Sequence, residues 1–351
     1  MSKLGILAWP GFSTKKDNPY NYILYKNVEE ENCIIYDFIF SLKNIIKYSL
    51  KINYKIFHIH WPTYILFGSN ERKANIRMTI LFLFIKYIKT RGVKIVWTVH
   101  NLEAHEGNFP LLQKKLASFM YSQTDGFISL NKPGMDIINK MSSNKINQRY
   151  IHLAHPHYRE YYTNTISKEQ ARIKLEIPKD KFIFLFLGQI RPYKNVTGLV
   201  EAYKKIDSTN TLLMIAGKIH KDMKGALDDI ENSENILLYD SFIKDEDLQT
   251  YFNCADVIVT PYDKVFNSGS IFLNLSFNRP TLASDSGALD ELSNVVGADW
   301  IKLYKGTLSA EHLMSCMREV NTRSDAKPNL IAFDPRIIAH NTVAFYKSLF
   351  S

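Results

Sequence analysis

Short apolar runs rich in Ile, Leu, Val and Phe alternate along this chain with longer segments in which apolar positions recur every three or four residues. Continuous apolar runs read as strands buried on both faces, and helix-length connections between them imply parallel sheets with crossover helices. In the first half the pattern predicts strands over 3–9, 33–40, 55–61, 93–99, 125–130 and 150–154, with helices between them. From Pro156 the sequence turns polar through Lys168, and a fresh strand starts at Lys181 (KFIFLFL), so a domain boundary is expected near 156–166. The second half repeats the alternation, with strands over 181–187, 211–216, 235–239, 256–260, 280–284 and 299–303 and helices over 195–206, 244–253, 269–277 and 309–321. Asp334 followed by Pro335 reads as the N-cap and first position of a last helix running to Phe350. The fold expectation is therefore α/β: two doubly wound Rossmann-like domains facing across a cleft, 1–160 and 161–333, with a C-terminal helix over 334–351 packing back on the first.

Composition narrows the class. With 351 residues, 46% of them hydrophobic, the chain can build two ordinary buried sheets. Its three cysteines, Cys33, Cys254 and Cys316, lie far apart without CxxC spacing, which argues against a disulfide framework and for a reducing compartment. The opening MSKLGILAWPGF has too short an apolar run before Pro10 for a signal peptide and reads as a first strand, so a cytoplasmic location is expected. The longest apolar run, Met78 to Ile85, ends at Lys86, far short of the roughly 20 residues that span a bilayer.

Charge is uneven. Residues 1–160 hold 22 Lys and Arg against 11 Asp and Glu, whereas the remainder is slightly acidic. Leu42 to Lys55 and Arg72 to Lys94 interleave cations with Ile, Leu, Phe and Tyr, as a helix at a membrane interface does. An anionic membrane surface is thus an expected partner, placing the protein at the inner face of the cell membrane. A solvated basic surface is the plainer alternative.

Chemistry in doubly wound domains belongs to the carboxyl ends of the strands. The segment FLGQIRPYKNVTGLVEAY passes from a buried strand through Gly188 into a helix start carrying Arg191 and Lys194, an arrangement suited to a diphosphate. A second small-residue helix start, Asn267-Ser268-Gly269-Ser270, offers bare N–H groups and hydroxyls, or else only an ordinary N-cap. In the first half, His60 and His100 terminate predicted strands, and His100 opens a loop holding Glu103, His105 and Glu106. Any of these four could act as the general base of a group transfer, with Glu106 the first choice and His100 its partner or a sugar contact; a structural role for strand-end histidines is the competing reading. His152, His155 and His157 are spaced like metal ligands but lack a completing Cys or carboxylate pair, so no metal is expected.

The order of these pieces resembles GT-B glycosyltransferases of the superfamily that includes family 4. After the strand and Gly188 loop come LLMIAGK, LLYDSFIKDEDLQTYFNCADVIVTPY, the small-residue loop and NRPTLASDSGALDEL, a likeness covering nearly all of 181–292. The resemblance implies a donor-binding second domain in which Gly188, Arg191, Lys194, Lys218, Phe242, Ser268, Gly269 and Ser270 contact a GDP- or UDP-sugar, with no obligatory cofactor and no nucleic acid partner. One departure weakens a retaining mechanism. Many retaining members carry two glutamates seven residues apart near the segment aligned with Val265 to Leu273, and neither end is acidic here.

In the first domain, NPYNYILY, FHIHWP and VWTVHNLEAHEGNFP resemble bacterial exopolysaccharide β-mannosyltransferases of the xanthan-pathway type. That likeness implies inversion at the anomeric carbon and a glycan or polyprenyl-diphosphate-linked saccharide as acceptor, bound by the first domain. A retaining family 4-like enzyme, a nucleotide-sugar epimerase and a non-catalytic basic protein binding membrane or nucleic acid are the alternatives. An NAD-dependent oxidoreductase is disfavoured because no G-x-G-x-x-G follows an early strand.

Overall fold

The computed structural model describes residues 3–15, 18–68, 70–100, 109–141, 148–206, 209–230, 233–262, 269–285, 288–297, 299–320 and 327–351. The chain divides into two compact units, Met1–Pro156 with Ala332–Ser351, and His157–Ile331.

The first unit is built in the order β1 (Leu4–Trp9), α1 (Tyr20–Glu30), β2 (Cys33–Asp37), α2 (Leu42–Leu50), β3 (Ile56–Ile59), α3 (Glu71–Thr90), β4 (Lys94–Val99), α4 (Pro110–Gln123), β5 (Gly126–Ser129), α5 (Lys132–Met141) and β6 (Arg149–His152). All strand pairs are parallel and the order across the sheet is β2-β1-β3-β4-β5-β6. Because β1 lies between β2 and β3, the connections leave it in opposite directions, and the crevice at the carboxyl ends of β1 and β3 is the switch point where such sheets take ligands. Alternation sorts the side chains. Leu7, Phe57, Ile59, Ile95, Trp97 and Val99 pack in one core with Phe38, Leu81 and Phe84, whereas Ile6, Ala8, Ile56 and Val96 pack in another with Tyr25 and Val28 of α1. His58 shares the face of Ile56, and therefore projects beneath α1.

The second unit runs through α6 (Lys168–Lys174), β7 (Phe182–Leu187), α7 (Val196–Tyr203), β8 (Thr211–Ala216), β9 (Ile236–Tyr239), α8 (Leu248–Cys254), β10 (Val257–Thr260), α9 (Gly269–Ser276), β11 (Thr281–Ser284), α10 (Ala288–Val296), β12 (Ile301–Tyr304) and α11 (Ala310–Glu319). Its sheet is also parallel, with order β12-β11-β10-β7-β8-β9, so the switch point lies between β7 and β10. Between β8 and β9 the described backbone forms 3-10 turns at Lys221–Met223 and Asp228–Ile230. The predicted helix 244–253 starts late, at Leu248, because Lys244 to Asp247 closes a turn in which the Lys244 carbonyl accepts from Asp247 N at 3.0 Å. The buried Asp256 carboxylate accepts from Arg172 at 2.8 Å and from Ile183 N at 2.7 Å, which ties α6 and β7 to the start of β10.

The last helix, α12 (Pro335–Ser348), belongs to the first unit and packs on α1. Asp334 caps it, accepting from Arg336 N at 2.8 Å, with Pro335 in the first turn, as expected. Among the described residues no helix is long and apolar enough to cross a membrane.

Candidate active site

In the second unit the loops after β7 and β8 continue the sheet. Gly188 N donates to the Ala216 carbonyl at 2.9 Å, Ile190 N to that of Lys218 at 2.9 Å, and His220 N returns to Ile190 at 2.9 Å. The approach is possible only between two glycines. Gly188 and Gly217 adopt φ of +134° and +150°, and a Cβ on Gly217 would stand 2.1 Å from the Gly188 oxygen. Past this ladder, Pro192–Lys194 forms a 3-10 turn, and Asn195 caps α7 by accepting from Gly198 N at 3.3 Å. One N–H expected to be bare for an anion is thereby engaged.

Lys194 is held at the switch point. Its Nζ lies 5.8 Å from the ring centroid of Phe186 in β7 and 5.4 Å from that of Tyr262, just beyond β10. Tyr193 meets Tyr262 edge-on at 6.1 Å, and the Tyr262 hydroxyl donates to Ser270 Oγ in the first turn of α9 at 3.3 Å. Lys194, Gly188, Gly269 and Ser270 thus converge where β7 and β10 part. Arg191 points along the neighbouring loop, its Nε donating to Gln189 at 2.9 Å. Lys218 sits one loop further, paired with Asp240 at 3.2 Å. The backbone N–H of Ile219, 2.8 Å from Asp240, is the main cause that lowers this carboxyl below its ordinary range. Phe242 follows β9 and is 74% exposed, an unusual exposure for a phenyl ring and suited to stacking on a nucleobase.

At the carboxyl edge of the first unit, β3 and β4 carry a buried polar cluster. The Tyr25 hydroxyl is 2.6 Å from His60 Nε2 and 3.0 Å from His58 Nδ1, and Tyr346 of α12 is 2.6 Å from the same His58 nitrogen. His58 Nε2 meets Thr98 Oγ1 at 2.7 Å, and His60 Nδ1 meets His100 Nε2 at 3.0 Å. Trp61 stacks on His100 with centroids 4.2 Å apart, and Tyr20 abuts both His100 and His155. His155 Nδ1–H donates to the Pro156 carbonyl at 2.8 Å. Burial disfavours the charged imidazoles: His58 is pushed down to about 3 and His155 to about 4, while His60 and His100 fall well below the ordinary value, with neighbouring histidines adding repulsion. All four rings are neutral near pH 7. Among the described residues no group of three or more His, Cys, Asp or Glu is placed to hold a metal ion.

Glu103, His105, Glu106 and Ser268 lie outside the described residues. Tyr262, Asp240, Tyr25, His58 and Tyr346 were not singled out from the sequence. For His58 a signal existed, since FHIH places His58 and His60 on one face of a strand.

Comparison with known proteins bears on the fold and on the second unit. Residues 167–292 match the family model described as Glycosyl transferases group 1. A GDP-mannose:glycolipid 4-beta-D-mannosyltransferase of Xanthomonas campestris pv. campestris is 24% identical over 316 residues, which cover 88% of this chain and 83% of that one. Among solved structures, a glycosyltransferase from Rickettsia africae ESF-5 superposes with TM-score 0.68 over the whole of both chains at 14% identity. HepE of Anabaena, solved with UDP and glucose, gives TM-score 0.67 over 99% of this chain and 98% of that one at 11% identity. With a group 1 glycosyl transferase segment laid over the β7–β10 switch point, and two parallel sheets of the GT-B kind, this chain is a glycosyltransferase.

Proposed function

We propose that the chain transfers a hexose, with GDP-mannose the first donor to test among GDP- and UDP-sugars, to a lipid-linked saccharide with inversion at the anomeric carbon, in the synthesis of a surface polysaccharide. The observation that carries this reading is Lys194 held between Phe186 and Tyr262 at the switch point, above the glycine pair that opens the backbone. A fixed ammonium there neutralises charge as the diphosphate leaves, and Arg191 on the preceding loop is assigned a second contact to the same diphosphate. The second unit is assigned the donor and the first the acceptor. The Xanthomonas relative's printed name supports GDP-mannose as donor and a glycolipid as acceptor.

The test is a panel of GDP- and UDP-sugars, read by thermal stabilisation and then by donor hydrolysis. GDP-mannose should stabilise the protein and be turned over. Lys194→Ala and Arg191→Ala should each lower kcat/KM by about 30- to 150-fold, the equivalent of about 2–3 kcal/mol for one charge-assisted contact. Undiminished turnover in folded variants removes the phosphate assignment.

Attachment to an anionic membrane is part of the same proposal, and α2 supports it. Ile45 and Tyr48 turn inward, while Leu42, Ile46 and Leu50 are 64%, 52% and 80% exposed, beside the exposed Lys43, Lys47 and Lys51. An apolar stripe bordered by cations suits a headgroup boundary. The protein is expected to sediment with phosphatidylglycerol vesicles, more weakly as salt rises, and the double change Ile46→Ser with Leu50→Ser should weaken binding by about tenfold or more. Equal binding to neutral vesicles, or none to either, counts against attachment.

A further inference from the structure

We infer that Tyr25 and His60 are positioning residues for the transfer reaction, forming a hydrogen-bonded relay that holds His100 with its proton on Nδ1 and so makes it a donor of hydrogen bonds rather than a general base. The inference rests on the proposed function for His100's place at the reacting sugar; the relay itself rests on geometry alone.

The direction we assign to the relay rests on its two shortest contacts. Tyr25 and Tyr346 each have one hydroxyl proton, and each makes one contact of 2.6 Å to an imidazole nitrogen, Tyr25 to His60 Nε2 and Tyr346 to His58 Nδ1. An N–H donating to a phenol oxygen prefers about 2.7–3.2 Å, whereas a hydroxyl donor sits closer, so both short contacts are assigned as O–H donating to nitrogen. His60 Nε2 is then an acceptor, and a neutral ring must carry its proton on Nδ1. That Nδ1–H points at His100 Nε2, 3.0 Å away, which accepts. His100, neutral in its turn, keeps its proton on Nδ1.

The ring is also fixed in orientation. Trp61 stacks on it at an interplanar angle of 21° and Tyr20 meets it edge-on at 87°, which fixes the plane of the ring, and a flip within that plane would put a ring carbon in place of Nε2 opposite His60 Nδ1. Tyr25 and His60 are wholly or almost wholly buried, and His100, at 8% exposure, is the outermost of the three. With the Nε2 lone pair taken, His100 is left with an N–H and no lone pair to accept a proton. The buried hydroxyl and imidazole act on substrate only through it.

The experiment is a long-range 1H–15N correlation spectrum of the full chain labelled with 15N histidine at pH 7.5, with the His100 signals identified by their loss in His100→Gln. The expected result is the Nδ1–H tautomer for His100 in the wild type, and in Tyr25→Phe a shift of His100 toward Nε2–H or a mixture. Tyr25→Phe should also lower kcat for GDP-mannose turnover by about 5- to 20-fold with KM within about twofold, because the ring is mis-protonated rather than the donor unbound. A wild-type His100 protonated on Nε2 overturns the relay, whether or not Tyr25→Phe folds. An unchanged His100 spectrum, or an unchanged kcat, in folded Tyr25→Phe overturns its positioning role. A wild type that turns over no nucleotide sugar overturns the proposed donor chemistry instead, and the spectrum still decides the tautomer.

Discussion

Glu106→Gln is expected to lower kcat for sugar transfer by about 10²- to 10³-fold while leaving GDP affinity within about twofold. In an inverting displacement the acceptor oxygen attacks the anomeric carbon as the bond to the diphosphate breaks, and the hydroxyl proton must pass to a base. In the sequence, Glu103, His105 and Glu106 follow His100 at the end of β4 within six residues. If His100 already spends its lone pair on His60, the base falls to one of those three. A carboxylate that serves as this base needs a proton affinity raised toward neutral pH, as loss of water around it would supply. Glutamine keeps the volume and removes the basic oxygen, so the loss should fall on kcat. Should Glu103→Gln or His105→Gln collapse turnover in place of Glu106→Gln, the role moves to that residue. Near-normal activity in all three ends the assignment of the base to this loop, and the anomer of the product, read by NMR, then decides between inversion and the retaining alternative.

How much of this was visible in the sequence depends on which interactions are local. Buried parallel strands read as unbroken apolar runs, so Phe182–Leu187 and Lys94–Val99 were legible. The order of the strands was not, because nothing in a run of Ile and Phe says which neighbour it pairs with. That order is what puts Tyr262 beside Lys194. Gly188 stood out as a loop glycine, whereas Gly217 becomes necessary only once the Gly188 oxygen is known to lie where its Cβ would be. The buried cluster of histidines and tyrosines is the extreme case. Tyr25 comes from the first helix, Tyr346 from the last, and the histidines from two strands, so helical periodicity alone reads each tyrosine as ordinary core.

The same cluster sets an acid limit on the first unit, and stability is expected to fall as pH drops below about 6.5, before the carboxylates titrate. In the unfolded chain each histidine takes up a proton near pH 6.5. In the folded unit His58 resists until about 3 and His155 until about 4, and His60 and His100 are also held well below the ordinary value. Between those limits the unfolded state binds more protons than the native one, so unfolding free energy rises with pH and is lost as pH falls. The window is therefore about 6.5 down toward 4. His58 alone should remove about 3 kcal/mol by pH 4.5, and His155 a similar amount, against about 5–15 kcal/mol for a whole domain. Tyr20, Tyr25 and Tyr346, which line the cluster, have their pKa values raised by burial and stay protonated throughout, offering no charge to stabilise an imidazolium. Asp240, Glu169 and Glu319 have lowered carboxyl pKa values, so their contribution disappears only at lower pH. Urea unfolding at pH 7.5, 6.5, 5.5 and 4.5 should show a plateau above 6.5 and a steep decline below it. In His155→Asn the decline should be shallower by about one proton's worth of slope. Stability that stays flat from pH 7.5 to 5 would mean that the cluster accepts protons without unfolding, contrary to the burial of all four rings.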